Sequence, residues 1–344
     1  MKPSDENAMR DDKTNPITYK EKVIQVGIIG LGVMGERMAR NMSAHPKFKP
    51  ISGFDLNQEV SQKFGRLFPQ INVYPTVESL IAENKPELLY IGSPPKTHSH
   101  YLNKAIDWHI PVFCEKPLGV DLIDSQDVTA RFIQSGLFNA VNFVHSAAPA
   151  AIEAKKIFLS GGLGDIISVE IQLSFSNWPR GWQKNASWLA ERSEGGFLRE
   201  VGSHFAYLTQ SLLGPLLFVQ PALIRWSPSP GAEQVVLALW ETARGIPVTL
   251  TGRVGGERKD IVRWRLVGSN GSIVIDQFYQ LSLETSTDVI RIVDGERASA
   301  QTAYESQLDL LALEFYTGRQ ELAGLKEALA VQTIIEQTLS SATR

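Results

Sequence analysis

Val26-Gly27-Ile28-Ile29-Gly30-Leu31-Gly32-Val33-Met34-Gly35 is the stretch on which the reading of this chain turns. Val23 to Ile29 is a short apolar, β-branched run, as a buried parallel strand requires. Beyond the last glycine, Glu36 to Met42 contains neither Gly nor Pro and reads as helix. Between strand and helix, Gly30 permits the tight turn, Gly32 lets the backbone approach a pyrophosphate, and Gly35 lets the helix pack close to the sheet. The phosphates would sit at Val33 and Met34, where free N–H groups and the helix dipole favour negative charge. Ile51 to Phe54 reads as a second strand, with Asp55 at its C-terminal end, 20 residues past Gly35. A carboxylate there accepts hydrogen bonds from the adenosine ribose hydroxyls and repels a 2′-phosphate, which favours NAD over NADP. A ligand-free glycine turn would not ask for an acid at that place.

With 344 residues, the chain is longer than one domain of average size and two domains are expected. Apolar residues make up 43% and charged residues 21%, the balance of an ordinary globular protein. The net charge of −3 gives no reason to expect a nucleic acid or an anionic membrane as partner. No apolar stretch approaches the roughly 20 residues of a membrane span. Met1 to Lys20 is polar, lacks the apolar centre of a signal peptide, and reads as a disordered leader. A single cysteine, Cys114, cannot form an internal disulfide and suits a reducing cytoplasm. It has no companion Cys or His at zinc-ligand spacing, so no metal site is expected.

Up to about residue 145, apolar runs alternate with helical patterns. Leu88 to Ile91, Val112 to Cys114 and Ala140 to Val144 are strand-like; Gln58 to Phe68, Thr76 to Glu83, His98 to Trp108 and Leu122 to Gln134 read as helices. That alternation implies a doubly wound parallel sheet, a Rossmann-type α/β domain. From about Asp165 strands follow one another without helices between them: Ile166 to Phe175, Leu217 to Arg225, Gln234 to Trp240, Val248 to Val254, Ile261 to Val267, Ser272 to Ile275 and Leu281 to Leu283. Turn signals such as Gly268-Ser-Asn-Gly271 join them, predicting a large, open, mostly antiparallel sheet. A helix over Leu322 to Ser340 ends the pattern. The expected organisation is a leader over 1–21, a dinucleotide-binding domain over 22–145, a substrate and oligomerisation domain over 146–321, and a last helix over 322–341.

In an open parallel sheet, ligands bind beyond the carboxyl ends of the strands. Three such ends carry unusual residues: Gly92-Ser-Pro-Pro-Lys-Thr-His98, Glu115-Lys-Pro117 and His145. All would open onto the crevice of the glycine turn. Here the chain resembles the Gfo/Idh/MocA family, the glucose–fructose oxidoreductase and inositol dehydrogenase group. Gly30, Gly32, Gly35 and Asp55 match its nucleotide fingerprint. Ser93-Pro94 followed by His98 is similar to its Thr-Pro-Asn-x-x-His segment, Glu115-Lys116-Pro117 to its Glu-Lys-Pro motif, and Gly195-Gly-Phe-Leu-Arg-Glu-Val-Gly-Ser-His204 to its Gly-Gly…Asp-x-Gly-x-His segment. The likeness runs in order from about Val23 to the last helix.

The resemblance implies that the open sheet forms a homodimer or homotetramer and that the last helix returns to the first domain. It implies cofactor contacts at Ser93, Pro94, His98, Glu115 and Lys116. It places Lys116 on the family's catalytic lysine, His204 on its catalytic histidine, and Glu200 where aspartate is usual. The residue chemistry is compatible. Removing hydride from an alcohol carbon requires the hydroxyl proton to leave, so a base must lie within hydrogen-bond reach, and histidine suits this near neutral pH. Lys116 would polarise the alcohol oxygen. Glu200 and His204, at i and i+4, would share a helix face, so that the carboxylate orients the imidazole or holds a neighbouring substrate hydroxyl. A Glu–His pair at that spacing is also common on solvated helices, and a lysine before proline is by itself an ordinary surface residue.

The chain departs from its family at several points. Pro95 replaces the usual asparagine, His145 and Ser146 stand where many relatives carry arginines, and Tyr207 stands where an acid frequently follows the histidine. In Asn177-Trp-Pro-Arg-Gly-Trp-Gln-Lys-Asn-Ala-Ser-Trp188, the aromatic faces of Trp182 and Trp188 suit a sugar or polyol ring and suit core packing equally. His145 is a further substrate candidate. The expected activity is hydride transfer between NAD and a secondary alcohol of a sugar, inositol or related carbohydrate. Its rivals are an enzyme that keeps NAD bound and oxidises transiently to epimerise or cleave a glycoside, and a non-catalytic NAD-sensing regulator.

Overall fold

The computed structural model describes residues 22–183, 186–256 and 259–341. The expected leader over 1–21 lies outside the described residues.

The first half alternates strand and helix: β1 (Ile24–Ile29), α1 (Val33–Ala44), β2 (Phe48–Phe54), α2 (Gln58–Leu67), β3 (Asn72–Tyr74), α3 (Val77–Asn84), β4 (Leu88–Ile91), α4 (His98–Trp108), β5 (Val112–Cys114), α5 (Leu122–Ser135) and β6 (Asn139–Val141). The six strands form one parallel sheet in the order β3-β2-β1-β4-β5-β6. This is the doubly wound order with its switch point between β1 and β4. Ile24, Val26, Ile28, Leu88, Leu89, Tyr90 and Ile91 are fully buried, which their apolar, largely β-branched sequences require of strands covered by helices on both faces. β2 begins three residues earlier than Ile51 because Pro50 is tolerated there. It sits where β2 has only β1 beside it, β3 joining from Ser52 onward.

The second half carries α6 (Pro149–Leu159), β7 (Ile166–Phe175), α7 (Ser203–Leu213), β8 (Leu216–Phe218), β9 (Leu223–Trp226), β10 (Glu233–Thr242), β11 (Pro247–Val254), β12 (Ile261–Gly268), β13 (Gly271–Asp276), β14 (Gln280–Glu284), β15 (Val289–Val293), α8 (Ala300–Thr317) and α9 (Leu325–Ser340). The second sheet runs β15-β14-β13-β12-β7-β11-β10-β8, with β9 also on β10. It is antiparallel except for β7 against β11. Its inner face buries Trp240, Trp264, Leu250 and Ile171. Trp264 Nε1 donates to Thr209 of α7 at 2.9 Å, and Trp240 Nε1 to Thr338 of α9 at 2.8 Å, so both indoles fix helices to that face.

Several elements differ from expectation, among them the short strands β3 and β15, which were not anticipated. The single strand over Leu217 to Arg225 is two, β8 and β9, which reach different parts of β10. Ala140 to Val144 is strand only through Val141; beyond it Val144–Ala147 is a 3-10 turn. Helices α6 and α8 were not anticipated. The buried stripe of α8, Ala303, Tyr304, Gln307, Leu308, Leu311, Ala312 and Glu314, has helical spacing but includes two polar residues. Helix α9 starts three residues late, and its first turn is tied to the end of the parallel sheet: Val141 N donates to Ala323 O at 2.7 Å, and Leu325 N to Asn139 Oδ1 at 2.9 Å.

Candidate active site

The carboxyl ends of β1, β2, β4 and β5 open into one cleft of about 1140 Å3, whose opposite wall is built by the loops before α7 and the β13–β14 turn. Gly30, Gly32, Val33, Met34, Asp55, Ser93, Pro94, Glu115, Lys116, His145, Trp182, Trp188, Glu200 and His204 all line it.

The glycine turn fits a dinucleotide phosphate. Gly30 has φ +89°, and a Cβ on it would lie 2.4 Å from Ser93 N, so no side chain fits between the β1 and β4 turns. A Cβ on Gly35 would lie 2.0 Å from Gly30 O, which is why this residue lets α1 pack close. Gly32 differs: a Cβ there meets nothing within 4 Å, because the space beside it is the cleft. No side chain caps α1, and its first N–H groups are left for an anion. Asp55 accepts from Leu31 N and Asn57 N, each at 2.8 Å, bracing the turn that it faces.

His98 does not line the cleft, contrary to its expected contact with the cofactor. It is fully buried behind the loops, with Nδ1 3.0 Å from Pro117 O and Nε2 2.8 Å from Ser93 O. Burial lowers its pKa, and the neutral ring donates to one of these carbonyls at a time. It joins the β4 and β5 loops, so its effect on a ligand passes through Ser93 and Pro117.

Glu115 is buried and accepts from Tyr90 Oη and from Asn142 Nδ2, both at 2.5 Å; desolvation raises its pKa. Its neighbour Lys116 crosses the cleft to the second half of the chain. Nζ donates to Glu200 O at 2.8 Å and pairs with the Glu200 carboxylate. The other carboxylate oxygen accepts from Gln183 Nε2 at 2.9 Å and lies 3.8 Å from Arg180. Glu200 therefore does not orient His204. Leu198–Gly202 forms one wide π turn ahead of α7, and within it the carboxylate engages Lys116 while His204 Nδ1 is buried without a hydrogen-bond partner.

The His204 ring meets the His145 ring edge-on at 4.2 Å, and His145 stacks on Phe278 at 4.3 Å. Desolvation lowers both pKa values, that of His145 to about 3 and that of His204 well below the usual histidine range, and the nearby cations Lys116 and Arg180 act in the same direction. Both rings are neutral at physiological pH. Tyr207 packs flat on Phe143 at 4.7 Å and is buried.

Several residues of the cleft were not singled out from sequence: Arg37, Asn142, Arg180, Gln183, Phe278, Tyr279 and Tyr304. Arg180 and Gln183 sit within the tryptophan-rich stretch, where the indoles drew the attention. Phe278, with φ +71°, and Gln277, with φ +48°, form a tight turn of non-glycine residues that no sequence signal marks. Trp182 is 47% exposed at the cleft mouth, with the guanidinium carbons of Arg37 and Arg180 at 4.7 and 5.0 Å from its ring centre. Trp188 is half-buried.

Comparison with known proteins agrees with this architecture. Residues 24–143 match the family model described as "Oxidoreductase family, NAD-binding Rossmann fold", and residues 151–274 match the GFO/IDH/MocA C-terminal domain. The chain is 26% identical over 268 residues to the dTDP-3,4-didehydro-2,6-dideoxy-alpha-D-glucose 3-reductase of Streptomyces violaceoruber, covering 76% of this chain and 75% of that protein. Levoglucosan dehydrogenase, solved with NADH and levoglucosan, superposes with TM-score 0.83 at 19% identity, covering 93% of this chain and 97% of the other. KijD10, a 3-ketoreductase from Actinomadura kijaniata solved with NADP and TDP-benzene, gives 0.78 at 20% identity, covering 93% and 98%. Matched along both halves, the chain belongs to the Gfo/Idh/MocA oxidoreductase family.

Proposed function

We propose that this protein is an NAD-dependent oxidoreductase that moves hydride between the nicotinamide and a secondary alcohol of a sugar, inositol or related carbohydrate. The observation that carries this reading is the meeting in one cleft of the open space at Gly32 with Lys116, Glu200 and the neutral His204. Gly30, Gly32, Val33, Met34 and Asp55 would hold the dinucleotide, with Asp55 toward the adenosine ribose. When bound, the cofactor supplies the hydride acceptor. Lys116 Nζ donates to the alcohol oxygen and favours its deprotonation. His204, neutral and lining the cleft, accepts the hydroxyl proton as the carbon gives up its hydride. Glu200 holds Lys116 in place and presents a carboxylate to a neighbouring hydroxyl.

Trp182 and Trp188 are assigned to the sugar ring. The exposed leucines of the second sheet are assigned to contact between copies of the chain, and the protein to the cytoplasm. A screen of sugars, inositols and their derivatives with NAD and with NADP, read as absorbance at 340 nm, tests the reading. Formation of NADH in preference to NADPH is expected. Dinucleotide binding with no turnover of any alcohol or ketone would return the chain to the regulator class.

A further inference from the structure

The ionic balance at the substrate end of the cleft is incomplete. Lys116 and Glu200 compensate each other. Arg37 follows the first turn of α1 and lines the cleft beside the glycine turn, so the phosphates of a bound dinucleotide would face it. Arg180 is paired only loosely. Its Nε donates to Gln183 Oε1 at 2.9 Å, and its nearest carboxylate oxygen, Glu200 Oε1, is 3.8 Å away and already accepts from Gln183. The next acid, Asp260, accepts from Ser176 N at 2.8 Å and Ser176 Oγ at 3.0 Å. Among the described residues neither terminal nitrogen of Arg180 makes a hydrogen bond, although the side chain is only 17% exposed.

The surroundings favour a flat anion. The guanidinium carbon lies 5.7 Å from the ring centres of Phe175 and Trp178, 5.0 Å from Trp182 and 6.0 Å from Phe278. Aromatic rings surround the planar group, which lines the cleft. Gln183 fixes the orientation from the Nε side. A guanidinium held in this way offers two parallel N–H donors, which match a carboxylate. Lys116 and Arg180 share the single carboxylate of Glu200, and the one positive charge left in excess matches a monoanion better than a phosphate dianion. A charge so removed from water and held by a carboxylate only at 3.8 Å is costly, and a bound carboxylate relieves that cost.

We propose that the substrate is a sugar acid whose carboxylate is received by Arg180 while its reacting hydroxyl meets Lys116 and His204. The proposal takes the ring and the redox step from the oxidoreductase reading above, and takes the carboxylate from Arg180 alone. It makes Arg180 a specificity-determining residue, and His145, between the carboxylate and the base, a wall of the same subsite.

The test compares D-glucuronate and D-galacturonate with D-glucose and D-galactose, and with glucose 6-phosphate, on the intact protein saturated with NAD. Initial rates and the shift in melting temperature are read for each. The uronates should show KM values about 10- to 100-fold below those of their neutral counterparts, the range of a charge-assisted, bidentate pair. In Arg180→Met the ratio of the two KM values should fall to about one, whereas a purely structural defect raises both in parallel and keeps the ratio. Arg180→Lys should fall between. If neither variant folds, the wild-type comparison still decides. Equal KM values for uronate and neutral sugar, preference for glucose 6-phosphate, or a ratio unmoved in Arg180→Met overturns the proposal. Oxidation of neutral sugars alone overturns it while leaving the oxidoreductase reading intact. Thermal stabilisation by uronates without turnover of any compound leaves the carboxylate subsite standing and removes the redox reading.

Discussion

Lys116 and Glu200 are 8% and 14% exposed, and a pair so removed from water ties stability to chemistry. Removing only the lysine leaves a buried carboxylate with Gln183 and a distant arginine as its remaining partners, a loss of about 3–5 kcal/mol in comparable pairs. Lys116→Met should therefore lower both melting temperature and kcat, the latter by about 10²- to 10⁴-fold. Adding Glu200→Gln to that variant should restore the melting temperature without restoring kcat, because the amide needs no cation. Recovery of both quantities together would show that Lys116 serves only the fold. His204 provides a second test through pH. Its lowered pKa means that the imidazole stays neutral, and able to accept a proton, to a pH below that of an ordinary histidine. The sign follows: kcat/KM should stay level as pH falls from 8 to about 6.5, the usual histidine value, and decline only beneath it. An acid limb centred at or above that value would rule out this histidine as the base.

At the scale of elements, the π turn over Leu198–Gly202 carries Glu200 and is held from two directions. Glu233 accepts from Leu198 N at 2.6 Å, and Arg199 makes a two-bond pair with Glu336 of α9 at 2.6 and 2.8 Å while donating to the carbonyls of Arg192 and Gly195. Gly195 and Gly196 leave no alternative packing: a Cβ on the first would meet the Leu189 carbonyl at 2.4 Å, and one on the second the Glu233 carboxylate at 2.1 Å. Arg199→Met should destabilise the protein by about 3–5 kcal/mol and raise KM for the sugar more than for NAD, since the turn it releases faces the substrate end. Equal effects on the two KM values would detach the turn from substrate positioning. This element also shows where sequence reading stops. Five of the six strands of the parallel sheet were legible as short apolar runs closed by a turn residue, β3 (Asn-Val-Tyr) being too short and too polar to mark itself, and the Gly-Gly…Glu200…His204 spacing marked the turn. A helix assumed regular put Glu200 and His204 on one face. The π turn and the cross-cleft partner Lys116, 84 residues earlier, depend on tertiary packing that no local spacing encodes. Arg180 was hidden for the same reason: only in the fold does its guanidinium enter the aromatic pocket and face an acid that already has a partner.

For the whole molecule, the described residues cover the second sheet with helices on one face only. Its inner residues alternate with outer ones, as along β11, where Val248, Leu250 and Gly252 are buried and Thr249, Thr251 and Arg253 face away. Leu237 on β10 pairs with Thr251 on one side and Leu223 on the other, and the two leucines are 48% and 46% exposed. A sheet face bearing exposed aliphatic and threonine side chains beside charged ones such as Glu170 and Arg265 suits burial against an identical face. In such an isologous contact, each leucine meets the partner's apolar residues and each charge meets its opposite. The expected state in solution is therefore a homo-oligomer. Leu237→Lys would set a charge among the exposed leucines of that face, opposite its own symmetry mate or a neighbouring strand, while leaving the inner core untouched. Sedimentation velocity at micromolar concentration should show wild-type mass at a multiple of 38.1 kDa and the variant shifted toward a single chain. A wild-type monomer, or a variant that assembles as wild type does, would exclude this face as the contact.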